Sequence, residues 1–391
     1  MDRSKWEYKK LGEVCILLNG FAFKSEKYVD NGIRVMRITN VQKGEIVDDD
    51  PKFYPMSSQS EIQRYMLKEN DLLVSLTGNV GRVGLLQREL LPAALNQRVA
   101  CLRLKGNSTD LRYLFHLMNS NLFENECIVN SQGIAQKNMS TKWLSDYKLP
   151  VPPIDDQQRI VAELDCLNEM IAVKQEQLKE FDKLAQSIFY DMFGRGTSQQ
   201  QWEHTTIGSI SEEIKYGTSS PATPNGRYKY LRMNNMTNDG YLDLSDLKYI
   251  DVDANDYEKY VVRRGDVLFN RTNSRELVGK TVLFDFDEEM IIAGYIIRVR
   301  LKPMANPCFV VRYMNLPEQK EYLRGLCRGA IGQANINAKE LQAIPIPLPP
   351  LSLQQQFADK ISAIEAQKEL VKQNIAETQH LLDYTMDKYF G

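Results

Sequence analysis

Leu149-Pro150-Val151-Pro152-Pro153 is the stretch that decides the fold, because it returns later as Ile346-Pro347-Leu348-Pro349-Pro350. A second landmark, Met192-Phe193-Gly194, returns as Tyr389-Phe390-Gly391, and both pairs lie 197 residues apart. At the same spacing Gln157-Gln158 falls on Gln354-Gln355, and Leu184 on Leu381. Looser matches precede each string. Trp6 pairs with Trp202, Arg37-Ile38-Thr39-Asn40 with Arg232-Met233-Asn234-Asn235, and Asn70-Asp71-Leu72-Leu73 with Gly265-Asp266-Val267-Leu268. Ile134-Ala135-Gln136-Lys137-Asn138 pairs with Ile331-Gly332-Gln333-Ala334-Asn335. An ordered series of this kind marks an internal duplication, each copy being one structural unit.

The proline strings lack backbone donors and favour an extended path, so they read as joints. A heptad seam follows each one. The first runs through Ile160, Leu164, Leu167, Ile171, Lys174, Leu178, Phe181, Ala185, Ile188 and Met192. The second runs through Phe357, Ile361, Ile364, Lys368, Val371, Ile375, Thr378, Leu382, Thr385 and Tyr389. No Gly or Pro interrupts either seam before Gly194 and Gly391. The spacing predicts two helices of about 35–38 residues, roughly 50–57 Å each, whose matched seams pack on one another. Lys174 and Lys368 are polar interruptions expected to fix the register. The globular parts read as mixed α/β. Strands are expected at Ile33–Ile38, Leu72–Leu76, Val99–Leu104, Val267–Phe269, Thr281–Phe284 and Ile291–Leu301, and helices near Leu111–Asn119 and Val310–Leu326.

Composition bounds the function. With 391 residues, 43% hydrophobic and 26% charged, the chain can bury more than one core without metal or disulfide staples. The net charge of −2 is unevenly spread: residues 1–150 hold 21 Lys/Arg against 17 Asp/Glu, whereas 151–201 hold 5 against 9. The acidic surplus therefore belongs to the helices, and a local basic patch on a globular part remains available. Cys15, Cys101, Cys127, Cys166, Cys308 and Cys327 form no CxxC pair, so six buried or incidental thiols are expected and no metal site. No apolar run reaches membrane-spanning length, and Met1–Trp6 lacks the apolar stretch of a signal peptide, which makes the cytoplasm the expected location and excludes a membrane role.

Enzyme motifs are missing. Ser274-Arg275-Glu276-Leu277-Val278-Gly279-Lys280-Thr281 has the tail of a phosphate loop, but Ser274 stands where the first Gly is needed, so it reads as a turn into a strand. With only His116, His204 and His380, no nucleophile–base pair suggests itself, and no catalytic residue is assigned. The polar loops carry a different chemistry. Asn270-Arg271-Thr272-Asn273-Ser274-Arg275 lies opposite a first-copy loop containing Thr77, Asn79 and Arg82. Arg and Asn pair bidentately with guanine and adenine edges, while Thr and Ser hold phosphates. Asn19 and Lys24 in one early loop, Lys215 and Thr218 in the other, and Arg37 with Arg232 add candidates at matched places. So do the late loops Gln136, Lys137 and Asn138, and Gln333 and Asn335.

On these residues the chain resembles the specificity (S) subunit of type I restriction-modification systems over essentially its whole length. The resemblance is carried by Leu149–Pro153 with Gln157-Gln158-Arg159-Ile160, Leu348–Leu351 with Gln354-Gln355-Gln356, the Phe-Gly helix ends, and Leu268–Ser274. It implies an α+β architecture: two α/β target-recognition domains separated by two long helices that form an antiparallel coiled coil, with an internal pseudo-two-fold repeat. The expected divisions are 1–150, 151–195, 196–346 and 347–391. The resemblance also implies a non-catalytic subunit that recognises a bipartite, asymmetric site on double-stranded DNA. Two methyltransferase (M) subunits carrying S-adenosylmethionine would dock on it, and restriction/translocase (R) subunits would bind ATP and Mg, with no cofactor on this chain. Short repeats found in the spacer helices of family members are missing here. Two other readings fit the residues: the recognition subunit of a related bipartite-site restriction-methylation enzyme, and a coiled-coil scaffold that binds proteins.

Overall fold

The runs Leu72–Val74 and Val99–Leu102 are apolar throughout rather than alternating, and the computed structural model explains why. It describes residues 6–131, 138–195, 202–274, 277–327 and 334–391. The chain divides into two units, Met1–Gln175 with Gln373–Gly391, and Glu176–Lys372. In the first unit, β1 (Glu7–Lys10), β2 (Cys15–Asn19), β3 (Ile33–Met36), β4 (Phe53–Tyr54), β5 (Leu72–Ser75), β6 (Val83–Leu85), β7 (Ala93–Leu95), β8 (Val99–Leu104) and β9 (Lys148–Val151) occur in that order. A four-stranded antiparallel sheet runs β2-β8-β5-β6, and a smaller one runs β4-β3-β7 with β3 and β7 parallel. Leu72, Val74, Ala100 and Leu102 face a core with Tyr113 and Leu114 of helix Leu111–Met118 and with Ile160 and Leu164 of the first long helix. Leu73, Val99 and Cys101 face the opposite way, against Met36 and Leu95. A strand buried on both faces reads as a continuous apolar run.

The second unit repeats this plan. Its strands are β10 (His204–Thr206), β11 (Ser211–Tyr216), β12 (Tyr228–Leu231), β13 (Lys248–Ile250), β14 (Val261–Val262), β15 (Val267–Asn270), β16 (Thr272–Asn273), β17 (Thr281–Leu283), β18 (Met290–Ile292), β19 (Ile296–Leu301), β20 (Ala334–Asn335) and β21 (Pro345–Pro347). The large sheet runs β11-β19-β15-β17 and the smaller β13-β12-β18-β14, with β12 and β18 parallel. Val267, Phe269, Ile297 and Val299 pack with Phe309 and Phe357, while Leu268 and Ile296 pack with Leu231 and Ile292. One position departs from the first unit. Fully buried Arg298 holds the register place of Cys101, donating to the Val261 carbonyl and pairing with Glu213.

The proline strings are extended, as expected, but each is an edge strand of a two-stranded sheet rather than a bare joint. β9 pairs antiparallel with β1, placing Tyr8 opposite Pro150, and β21 pairs with β10, placing His204 opposite Pro347. Edge positions suit proline because one side needs no donor. Tyr113 Oη donates to the Pro150 carbonyl at 3.0 Å, and Tyr313 Oη to that of Pro345 at 3.3 Å. The first residues of the long helices complete the joint. Gln157, fully buried, accepts from the Asp110 amide (2.7 Å) and donates to the carbonyls of Pro152 (2.7 Å) and Ser108 (3.0 Å). Gln354 does the same with the Asn306 amide (2.8 Å) and the carbonyls of Pro349 (2.7 Å) and Met304 (3.4 Å). A glutamine side chain with both ends satisfied by backbone locks strand, loop and helix together.

Both long helices, Ile154–Phe193 and Leu351–Phe390, contain 40 residues. In the first unit Ile160, Leu164, Leu167 and Ile171 share a core with Leu382, Tyr389 and Phe390, and Tyr389 Oη donates to Glu163, so the segments run antiparallel. In the second unit Ala185, Phe189 and Phe193 share one with Phe357, Ile361 and Ile364. The expected seam needs one correction here: Ile188 and Met192 are half-buried, whereas Phe189 and Phe193 are fully buried. Their rings lie 5.6 and 4.8 Å from that of Phe309. The helix end packs on its own globular body as well as on the other helix, which widens the apolar face beyond a heptad stripe. Lys368 interrupts the seam but is fully partnered, by Asp182 (2.6 Å) and Tyr241 Oη (2.8 Å). Burial pulls its ammonium down, and the bonds to Asp182 and Tyr241 outweigh this and hold it above the usual lysine range.

Gln157→Ala and Gln354→Ala each strand a buried amide and buried carbonyls, so each is predicted to cost about 1–3 kcal/mol of its unit's stability. Exposed Gln158→Ala changes little. Urea unfolding followed by far-UV circular dichroism measures all three.

Candidate nucleic-acid interface

Antiparallel order brings three chain ends to one edge of each large sheet. In the second unit β11 finishes at Tyr216 opposite Ile297, and β15 finishes at Asn270 opposite Ile296, where β19 begins. Beyond this edge the backbone continues as a rail. The Arg271 amide donates to Tyr295 (3.0 Å), and the Ile336 amide donates to the Arg271 carbonyl (2.9 Å). β16 and β20 then pair, with Thr272 Oγ1 donating to Asn335 Oδ1 at 2.8 Å. The Arg271 guanidinium lies 4.8 Å from the Tyr216 ring centre and donates to the Gly294 carbonyl at 3.3 Å. Asn270 is fully buried and its Nδ2 makes no hydrogen bond among the described residues, while Asn273 Oδ1 accepts from the Ser274 amide (2.9 Å). Thr218 Oγ1 accepts from the Ser220 amide (3.1 Å).

The first unit builds the same edge. β2 ends at Asn19 opposite Ala100, and β5 ends at Ser75 opposite Val99. The Leu76 amide donates to Arg98 (2.9 Å), the Met139 amide to Leu76 (2.8 Å), and Thr77 Oγ1 to Asn138 Oδ1 (2.9 Å). The early-loop glycines have a structural reason. A Cβ on Gly20 would sit 2.2 Å from the Asn96 carbonyl, and one on Gly217 would sit 2.2 Å from that of Ile292. Each lets the chain pass against the turn that enters β8 or β19.

Of the sequence candidates, Asn19, Thr77 and Asn138 meet at the first edge, with Asn79 and Arg82 in the adjoining turn, where the Asn79 side-chain amide lies beside the Arg82 guanidinium and Arg82 also reaches Gln42. Thr218, Asn270, Arg271, Thr272, Asn273, Ser274 and Asn335 meet at the second. Lys24 is exposed on the loop after β2, and Lys215 pairs with Glu213 at 2.5 Å. Arg37 and Arg232 lie apart, at the ends of β3 and β12, bound to Asp50 (3.3 Å) and Asp246 (2.8 Å). Their amides donate to Asn40 and Asn235, so both act as loop braces. Gln136, Lys137, Arg275 and Gln333 lie outside the described residues. Sequence reading missed Arg98 and Tyr295. The signal was the short polar interval Asn96-Gln97-Arg98 between two apolar runs.

The phosphate-loop tail is a turn into β17, as expected. The Gly279 amide donates to Asn270 (2.9 Å), Lys280 Nζ to the Met236 carbonyl (2.9 Å) and Lys320 Nζ to the Gly279 carbonyl (2.9 Å). Burial, then Lys280 and Arg324, push the Lys320 ammonium down to about 8. Four cysteines are buried, Cys308 is half-buried and Cys166 is exposed, and burial pushes the Cys15 and Cys127 thiols up to about 12. Among the described residues no cluster of three His, Cys, Asp or Glu could hold a metal, and no helix is long and apolar enough to cross a membrane.

The family model for the type I restriction modification DNA specificity domain matches residues 3–183 and again 199–380. The specificity subunit of the type I restriction enzyme EcoKI, from Escherichia coli K12, is 21% identical over 393 residues, covering 95% of this chain and 84% of that one. Among solved structures, the type I restriction-modification S subunit from M. genitalium superposes with a TM-score of 0.53 at 13% identity, over 99% of this chain and 96% of that one. A chain from a structural study of complex assembly and conformational transition in the type I restriction-modification system gives 0.58 at 21% identity, over 99% and 97%. Both likenesses concern the fold.

Gly217→Ala and Gly20→Ala place a methyl group inside backbone carbonyls that cannot turn away. Each is predicted to destabilise its unit by about 1–3 kcal/mol, as overpacking does. Gly325→Ala, with open space around its Cβ, is neutral or gains up to about 1 kcal/mol from helix propensity. Thermal unfolding of the three variants checks the contrast.

Proposed function

As a member of the type I restriction-modification DNA specificity family the chain is a DNA-recognition subunit, and we propose that each unit reads one half of a bipartite, asymmetric target through its own sheet edge. The observation that carries this reading is the edge itself, built twice with the same rail and the same Thr–Asn bridge, Thr77–Asn138 and Thr272–Asn335, but furnished with different side chains. A common frame with different polar groups is what two readers of different sequences require. Thr, Ser and backbone amides position phosphates, and Arg and Asn read base edges. The functional division we assign is a reader at 1–150, a helix at 151–195, a reader at 196–346 and a helix at 347–391.

Chemistry belongs to partner subunits in this reading. Methyltransferase subunits supply S-adenosylmethionine, restriction/translocase subunits use ATP and Mg, and the chain itself binds no cofactor and works in the cytoplasm. Two methyltransferase subunits are proposed because the long helices expose apolar side chains in matched pairs. Val173 and Leu370 match at the repeat spacing, as do Leu184 and Leu381, and all four are between 46% and 62% exposed. Exposed apolar residues repeated on both helices suit two copies of one partner.

The test is binding and methylation by the methyltransferase with and without this chain. With it, the complex is expected to modify a defined split sequence and to bind that sequence at least about a thousandfold more tightly than unrelated DNA, with affinity falling steeply as salt rises. Identical methylated positions without the chain contradict the proposal.

A further inference from the structure

We infer that the two units carry one base-reading arginine each, transposed between two neighbouring positions of the same rail: Arg98 in the first unit and Arg271 in the second. This rests on the DNA-reading role proposed above. The equivalence of the positions comes from backbone bonds. Leu76 donates to Arg98 and accepts from Met139, and Arg271 donates to Tyr295 and accepts from Ile336, all at 2.8–3.0 Å. Leu76 therefore corresponds to Arg271, and Arg98 to Tyr295. Each unit places one guanidinium on this pair. Leu76 turns into the first unit's core, where an arginine would be desolvated, and Arg98 stands exposed beside it. In the second unit the arginine occupies the inner position and a half-exposed tyrosine the outer one.

Two things separate these arginines from their neighbours: Arg82, in the adjoining turn, is taken up by Gln42, and the others are held by carboxylates. Arg37, Arg103, Arg232 and Arg300 are bound to Asp50, Asp71, Asp246 and Asp266. Arg98 and Arg271 form no ion pair among the described residues. The Arg98 amide is fixed by Asn96 Oδ1 at 3.1 Å, which sets the turn, while its side chain makes no hydrogen bond among the described residues. Arg271 is oriented by the Tyr216 ring, and Tyr216 is in turn held by the Ala338 amide, which donates to its Oη at 2.7 Å. An arginine held in one plane, unneutralised, at an edge already lined with Asn and Thr has the geometry for bidentate pairing with a guanine edge. Tyr216 is then a positioning residue for Arg271.

Methylation-site mapping with the assembled methyltransferase complex tests this. Arg98→Gln is expected to relax one position in one half of the target, and Arg271→Gln one position in the other half, each by on the order of tenfold to a hundredfold in preference. Tyr216→Leu should weaken the same position as Arg271→Gln, and Tyr216→Phe, which keeps the ring and loses only the bond from the Ala338 amide, should weaken it less. Because a glutamine variant can fail to fold, Arg271→Lys and Arg98→Lys are mapped in parallel. They keep the charge and lose the fork, and are expected to relax the same positions at unchanged salt dependence. Transposing the second pair, Arg271→Leu with Tyr295→Arg, should recover a preference at the position that Arg271→Leu alone leaves open. A wild-type complex with a defined split target whose variants retain every base preference overturns the inference and leaves the DNA-reading role standing. Uniform weakening on all sequences with a flatter salt slope also overturns it, since that is the signature of phosphate contacts. Failure of the wild-type chain to direct methylation would instead count against the role itself.

Discussion

A single buried amide group, used twice, holds this architecture together. Gln157 and Gln354 each sit in the first turn of a long helix, and each is bonded to the carbonyl of the proline string behind it and to the loop before the nearest short helix. Proline cannot supply a donor there, so the side chain does. Without this bond an edge strand such as Lys148–Val151 would end in a flexible joint. With it, sheet, loop and helix form one rigid corner. The consequence is functional, because a reading edge has meaning only if its direction is fixed relative to the helix that carries it.

Once the corner is fixed, the two units are free to differ. The rail of backbone bonds and the Thr–Asn bridge are the same in both, while the side chains around them change in ways that preserve the fold. Cys101 in one unit is replaced in register by buried Arg298 in the other, and the second unit supplies Glu213 to meet it. Removing one member of such a pair leaves an uncompensated buried charge, so the two must change together. The transposed arginines follow the same logic at the edge. A guanidinium moved from the outer to the inner position needs Tyr216 and the Gly294 carbonyl to receive it.

Much of this was legible in the sequence because duplication exposes its own landmarks. The proline strings, the heptad seams and the Thr, Asn and Arg loops all appear twice at nearly constant spacing. The parts that were not legible have physical causes. Strand order depends on pairings across long sequence separations, which local apolar runs do not encode. Phe189 and Phe193 escaped the heptad reading because they answer to the globular body as well as to the other helix. Arg37 and Arg232 have the composition of a DNA contact, and the carboxylates that bind them, Asp50 and Asp246, are brought to them by the fold. For Arg98 the polar interval Asn96-Gln97-Arg98 marks a turn but not what that turn meets. Arg98 matters because the Leu76 amide places it on the rail, and a hydrogen bond between residues 22 positions apart has no sequence signature.

The claim on which everything else turns is that each unit reads DNA by itself. It is tested most directly by exchanging residues 1–150 for the corresponding segment of another family member with a known target, then mapping methylated positions genome-wide with the native methyltransferase. The account predicts a hybrid target, with one half taken from the donor and the other unchanged. A complex that assembles and methylates but has both halves altered would contradict it.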